Sequence, residues 1–133
     1  MPLLSYGIGN RRPGPQTRAR LAVIRQCGKA RSRVRTGETK DTYVRMPRFR
    51  LTVEYAGTRY SGWQIQKNAR TVQGELDRAI RQVTGRHDFE LYGSGRTDAG
   101  VHALAQVAHL DIATNQPPAA LRRAINDELP ADI

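Results

Sequence analysis

The sequence predicts an α+β fold: a ferredoxin-like, split βαβ half-sheet that is antiparallel and carries its helices on one face. Three observations predict it. Phe49, Leu51, Val53 and Tyr55 alternate with Arg50, Thr52 and Glu54, the pattern of a strand with one buried face. Val72, Leu76, Ala79, Ile80 and Val83 recur at helical spacing. Two more apolar runs and a second helical pattern follow, so the order is strand, helix, strand, strand, helix. A chain of 133 residues suits one domain with a single core.

The elements can be justified in turn. The first strand begins near Arg48. Residues 57–70 form a polar loop carrying Gly57, Gly62 and Trp63. Thr71 is placed to cap the first helix and Gly85 to stop it. Gly74 sits in that helix's first turn, where glycine costs up to about 1 kcal/mol relative to alanine. Either that cost is tolerated or another backbone comes close. Phe89 to Tyr92 reads as a short second strand. Residues 103–112, "ALAQVAHLDI", read as a third, with small residues on both faces, which suits a central position. Pro117 or Pro118 can open the last helix, Leu121, Ala124, Ile125 and Leu129 line it, and Pro130 ends it. The chain ends where a fourth strand is expected, which reads as an incomplete half with an exposed, aggregation-prone sheet edge.

The charge is uneven. The chain carries a formal +10, and residues 1–45 contribute +9 of it, with eleven Lys/Arg against Glu38 and Asp41. Residues 46–133 are nearly neutral, so bulk charge says little about nucleic-acid binding there. Residues 1–45 lack helical or strand periodicity and are rich in Arg, Gly, Pro and Ser, which predicts a disordered basic leader before a folded unit at 46–133. Three readings of the leader compete: a basic RNA-binding arm, an Arg-rich transit peptide, or upstream sequence preceding a true start at Met46. The third is preferred, because ordered patterning begins right after Met46. Cys27 is the sole cysteine, which excludes a disulfide framework and a cysteine-rich zinc site and fits a cytoplasmic setting. No apolar run approaches the roughly 20 residues of a membrane span.

The chemistry concentrates in "GSGRTDAGVHA", Gly93 to Ala103. Its glycine spacing is not G-x-G-x-x-G, and the chain holds no G-x-x-x-x-G-K-[ST], so a nucleotide cradle is unsupported. Ser94 lies in no G-x-S-x-G elbow. His87, His102 and His109 have no metal-ligand spacing, and no pair of glycosidase carboxylates is visible. Taken alone, the loop can be a surface turn with an Asp–Arg pair. Its place between two strands argues for more, since a rigid scaffold would position it. A neighbouring arginine favours the ionised form of a carboxylate, and an ionised acid can serve as nucleophile or base. The glycines let a planar ligand approach the backbone. The residues thus admit an anionic catalytic centre without choosing its reaction.

Four blocks, "EYAGTRYSGWQIQ" (54–66), "TVQGELDRAI" (71–80), "GSGRTDAGVHALAQVAHL" (93–110) and "AINDELPADI" (124–133), resemble the tRNA pseudouridine synthase A family in order and approximate spacing. The resemblance covers about residues 48–133. It implies the N-terminal half of the pseudouridine synthase fold and an isomerase that converts uridine to pseudouridine in the anticodon stem-loop of tRNA, about positions 38–40, without cofactor or metal. It implies that Asp98 is the catalytic aspartate, as nucleophile or base, and that Arg96 pairs with it and fills the space left by a flipped base. Ser94, Gly95, Thr97, Gly100, Val101 and His102 complete the motif as loop shape and backbone contacts. Tyr60 and Trp63 are candidates to stack on a base, with Trp63 read first as packing against the catalytic loop. Gln64 and Gln66 are candidate RNA contacts, and Arg122 and Arg123 candidate phosphate contacts, against the plainer reading of solvated side chains. The family works as a homodimer with a second α+β half across the cleft. Its active-site tyrosine lies in the strand after "LPADI" and has no counterpart here, which implies a fragment of little activity alone. The alternatives are a non-catalytic RNA-binding module that uses the basic leader, and a non-functional remnant.

Overall fold

The computed structural model of the chain describes residues 21–34 and 42–133. Among these residues the chain forms β1 (Leu21–Val34), β2 (Thr42–Tyr55), a short 3-10 turn (Gly57–Arg59), α1 (Val72–Thr84), β3 (Glu90–Gly93), β4 (Ala103–Asp111) and α2 (Pro118–Glu128). The four strands make one antiparallel sheet in the order β1-β2-β4-β3. The strand read as central, β4, lies between β2 and β3.

Strand alternation decides which face is buried. Phe49 pairs with Leu110, Leu51 with Ala108, and Leu91 with Leu110, and all of them enter the core. Val72, Leu76, Ala79 and Ile80 of α1 and Leu121 and Ile125 of α2 cover that same face. Burying each such Leu or Ile is worth roughly 1.5–3 kcal/mol. Among the described residues, no helix lies against the opposite face. There Arg50 pairs with His109, and the Tyr92 and His109 rings lie 5.2 Å apart. The α+β half-sheet read from periodicity, with helices on one face, is the fold observed.

Helix limits follow the residues expected to set them. The Thr71 hydroxyl accepts the Gly74 N–H at 3.1 Å, and Gly85 ends α1 at φ +67°. The crowding at Gly74 comes from this cap, not from a second backbone: a Cβ there would stand 2.9 Å from the Thr71 hydroxyl. Pro117 and Pro118 open α2.

The N-terminal segment departs from expectation. No regular structure was expected before residue 46, yet residues 21–34 form β1 and pair with β2 through Thr42. Leu21 and Ile24 enter the core. The leader's composition hid this, because from Arg25 to Lys29 the strand's side chains are exposed and carry no apolar alternation. Leu21 and Ile24 alone are too few to show a period. β1 therefore covers the outer edge of β2. Residues 1–20 and 35–41 lie outside the described residues.

Asp111, at the end of β4, is 1 % exposed and receives a bidentate guanidinium from Arg48, its register partner on β2, with both bonds at 2.7 Å. Hydrogen bonding to Asp111 raises the Arg48 pKa above its ordinary value. Arg48→Met should therefore lower stability by about 1–2 kcal/mol, the half-exposed guanidinium making the loss smaller than for a fully buried pair. Urea unfolding measures this; an unchanged midpoint would show that the pair contributes nothing.

Candidate active site

The loop from Gly93 to His102 has almost no apolar content and cannot be held by a core. Backbone hydrogen bonds hold it instead. At its start, Ser94 uses both N–H and Oγ to bond the Val107 carbonyl, at 2.8 and 2.9 Å. The Gln106 side-chain amide donates to the Gly95 carbonyl at 2.6 Å. At its centre, the Trp63 N–H donates to the Thr97 carbonyl (3.1 Å) and the Gly100 N–H to the Tyr60 carbonyl (3.1 Å). At its end, the Gly57 N–H donates to His102 Nδ1 at 3.1 Å. The segment 57–63 is thus stitched along the whole loop.

Asp98 opens a tight turn. Its carbonyl accepts the Val101 N–H at 3.1 Å, and Gly100, third in the turn, has φ +80°, the geometry of a type II turn. Thr97 points inward, and its hydroxyl meets the Tyr55 hydroxyl at 2.7 Å. Burial raises the Tyr55 pKa above its ordinary value, and the bond to Thr97 opposes this. Arg96 and Asp98 flank this anchor and are both exposed. Among the described residues, neither side chain makes a hydrogen bond or ion pair, and they do not pair with each other. The expected Arg96–Asp98 pair is absent: the loop presents a carboxylate and a guanidinium side by side, both open to an incoming group.

Two other expectations change. Tyr60 and Trp63, considered for base stacking, are 3 % and 2 % exposed and lack the free ring face that stacking needs. They are supports. Trp63 packs on Gly93, where a Cβ would come within 2.3 Å of its Nε1, in keeping with its reading as a brace for the loop. The Tyr60 hydroxyl donates to Asp132 Oδ1 at 2.6 Å, and the Arg70 guanidinium lies 4.9 Å from its ring centre. Burial first, and then the bond to Asp132, push the Tyr60 pKa well above its ordinary value. Arg122 turns toward the strand and donates to the Ala22 carbonyl, while Arg123 is exposed. Gln64 is exposed, and Gln66 donates to the Ser61 carbonyl. His102 is exposed with Nδ1 occupied as acceptor, so its neutral ring carries the proton on Nε2.

Tyr55, Gly57, Gly62 and Gln106 were not singled out as site residues. Tyr55 reads as the last inward residue of a strand, so its hydroxyl gave no signal. Among the described residues no group of three or more His, Cys, Asp or Glu is arranged to hold a metal ion.

The sequence has relatives. The sequence profile of tRNA pseudouridine synthases matches residues 51–133. A protein of Agrobacterium fabrum named tRNA pseudouridine synthase A is 54 % identical over 84 residues, 63 % of this chain and 31 % of the relative. Proteins of the same name from Maricaulis maris and Maridesulfovibrio salexigens are 53 % identical over 87 residues and 48 % over 88, covering 34 % and 32 % of their lengths. The match spans about one third of the length of these curated relatives.

Two predictions follow from the stitching and from the buried phenols. At Gly62 (φ +85°) a Cβ would lie 2.4 Å from the Thr97 carbonyl oxygen, whereas Gly95 has nothing within 4 Å. Gly62→Ala should cost about 2–3 kcal/mol and Gly95→Ala under about 1 kcal/mol, read by thermal unfolding. Equal losses would refute the close approach. Raised tyrosine pKa values favour the protonated phenol in the fold, so their contribution is complete below the unfolded value near 10 and is lost as the pH climbs above it. Stability should fall from about pH 10 upward, less steeply in Tyr60→Phe; identical alkaline slopes would remove Tyr60 as the cause.

Proposed function

Because the chain belongs to the tRNA pseudouridine synthase family, we propose that it carries the carboxylate-bearing half of a cytoplasmic enzyme that isomerises uridine to pseudouridine in the anticodon stem-loop of tRNA. The observation that supports this best is the exposed Asp98 on a turn fixed by backbone bonds from Tyr60 and Trp63. A stem uridine must be flipped out to be reached, at a cost of a few kcal/mol. A glycine-lined, hydrogen-bonded loop can meet it without reorganising.

In this reading the Asp98 carboxylate either attacks C1′ or removes a sugar proton as the C1′–N1 bond breaks. The freed uracil turns and C5 bonds to C1′, which releases the carboxylate from C1′ in the first route or takes the sugar proton back from Asp98 in the second; C5 then loses its hydrogen to solvent, and N1 gains a proton. The product is an isomer and no electrons are exchanged, so the reading invokes no cofactor. Arg96 stands beside Asp98 to occupy the space vacated by the base and to face a phosphate. Ser94, Gly95, Thr97, Gly100 and His102 shape the loop, and Gln64 is an exposed donor near it. The whole enzyme acts as a homodimer, and this segment alone has little activity.

Tritium release from tRNA labelled at uracil C5 tests this. Residues 48–133 replace the matched segment of the Agrobacterium fabrum relative, and the native chain is assayed beside that chimera. The chimera should release tritium, and Asp98→Asn in it should lower the rate by at least about 10³-fold, as expected for removal of a reacting group. Equal release by both would defeat the assignment. A non-catalytic RNA-binding module would instead show tRNA binding that falls steeply with salt and survives Asp98→Asn.

A further inference from the structure

The chain buries a hydroxyl that its core does not need. Tyr55, the last residue of β2, is 2 % exposed, pairs with Ala103 of β4, and has its ring 6.2 Å from that of Trp63. Among the described residues its hydroxyl has one hydrogen-bond partner, the Thr97 hydroxyl at 2.7 Å. Phenylalanine and valine would fill the same two places with no hydroxyl to satisfy. Exchanging both partners of a buried bond for apolar groups of the same shape can leave stability nearly unchanged. Stability therefore does not account for this pair.

Its location does. From Ser94 to His102, Thr97 is the one residue that is not exposed. It is anchored at two atoms to two different places: its carbonyl accepts the Trp63 N–H at 3.1 Å, and its hydroxyl meets Tyr55 on the sheet itself. The first bond fixes where the residue lies. The second stops it from rotating about the first. Asp98 follows directly, through the peptide whose carbonyl Trp63 holds. A rotation of Thr97 would therefore swing the side chains of Arg96 and Asp98, which among the described residues have no hydrogen bond or ion pair of their own. Gly95 and Gly100 are too permissive to resist such a rotation. The Val101 N–H on the Asp98 carbonyl and the Gly100 N–H on the Tyr60 carbonyl hold only the far side of the turn. Tyr55 can serve as the fixed point because its ring is part of the core.

We propose that Tyr55 is a positioning residue: acting through the Thr97 hydroxyl, it aims the Asp98 carboxylate at the reacting sugar. The inference rests on the reading of Asp98 as the reacting group, and it gives Tyr55 no contact with substrate. A reacting group misplaced by about 1 Å costs on the order of 10²-fold in rate. Loosening one anchor while the rest of the loop stays bonded costs less, about tenfold. The loss falls on kcat and leaves KM alone, because aim matters only once the nucleoside is bound.

Tritium release by the chimera that carries residues 48–133 gives kcat and KM, at a temperature where circular dichroism shows every variant folded. Tyr55→Phe, Thr97→Val and the double variant should each lower kcat by about tenfold at unchanged KM, with no further loss in the double. Thr97→Ser keeps the hydroxyl and should stay within about threefold of the parent. The double variant should melt within about 4 °C of the parent. Unchanged kcat in the double variant, losses that add, or a Thr97→Ser rate as low as that of Thr97→Val overturns the proposal. Hydrogen exchange on the native chain reads the anchor without turnover. In Tyr55→Phe the Gly100 and Val101 amides should exchange about tenfold faster, while the Gln73 amide, which donates to the Trp63 carbonyl at 2.9 Å, keeps its rate. Equal acceleration at all of these amides makes the bond a general stabiliser, and no acceleration at Gly100 and Val101 removes the anchor; either overturns the proposal. If Asp98→Asn leaves tritium release unchanged, the catalytic reading fails, and exchange alone still decides whether Tyr55 holds the turn.

Discussion

The site depends on a backbone seam. Three amide donors, those of Gly57, Trp63 and Gly100, join the segment after β2 to the loop after β3. The loop's apolar side chains, Ala99 and Val101, are exposed and cannot replace them, and an unmade buried backbone bond costs about 1–3 kcal/mol. Close approach is the other half of the same constraint. A Cβ at Gly57 would overlap the Val101 carbonyl, and one at Gly62 would press on that of Thr97. Glycine in the first segment is thus what lets the second lie against it.

The seam explains how a glycine-rich loop can present charged groups in a fixed way. Thr97 alone turns inward, toward the Tyr55 hydroxyl, and its neighbours on either side turn out. Arg96 and Asp98 then owe their direction to the backbone rather than to each other. A carboxylate locked to a guanidinium must lose that partner before it reacts; one held by its own turn need not.

Much of this was legible in the sequence. Alternation along residues 49–55 and helical spacing from Val72 fixed the layers, because each element buries one face. The cap at Thr71 and the stop at Gly85 were visible because their chemistry is local. The failures were non-local. Arg96 and Asp98 look like an ion pair by proximity in sequence, but the inward Thr97 between them sets their directions. Tyr60 looks like a stacking group in a polar loop, yet it is buried because that loop folds over the end of the core. β1 escaped notice because its stretch from Arg25 to Lys29 is exposed and carries no hydrophobic period to detect.

The end of the sheet and the candidate site meet at the segment following α2. Asp132 binds β2's exit through its carbonyl and Tyr60 through its carboxylate, while the Tyr60 carbonyl holds the Gly100 amide in the Asp98 turn. The path from sheet edge to candidate carboxylate therefore runs through two residues, each with both a backbone and a side-chain or backbone bond committed. The turn that carries Asp98 is thus tied to the exit of β2 through Asp132 and Tyr60, so the end of the sheet and the loop share one set of hydrogen bonds.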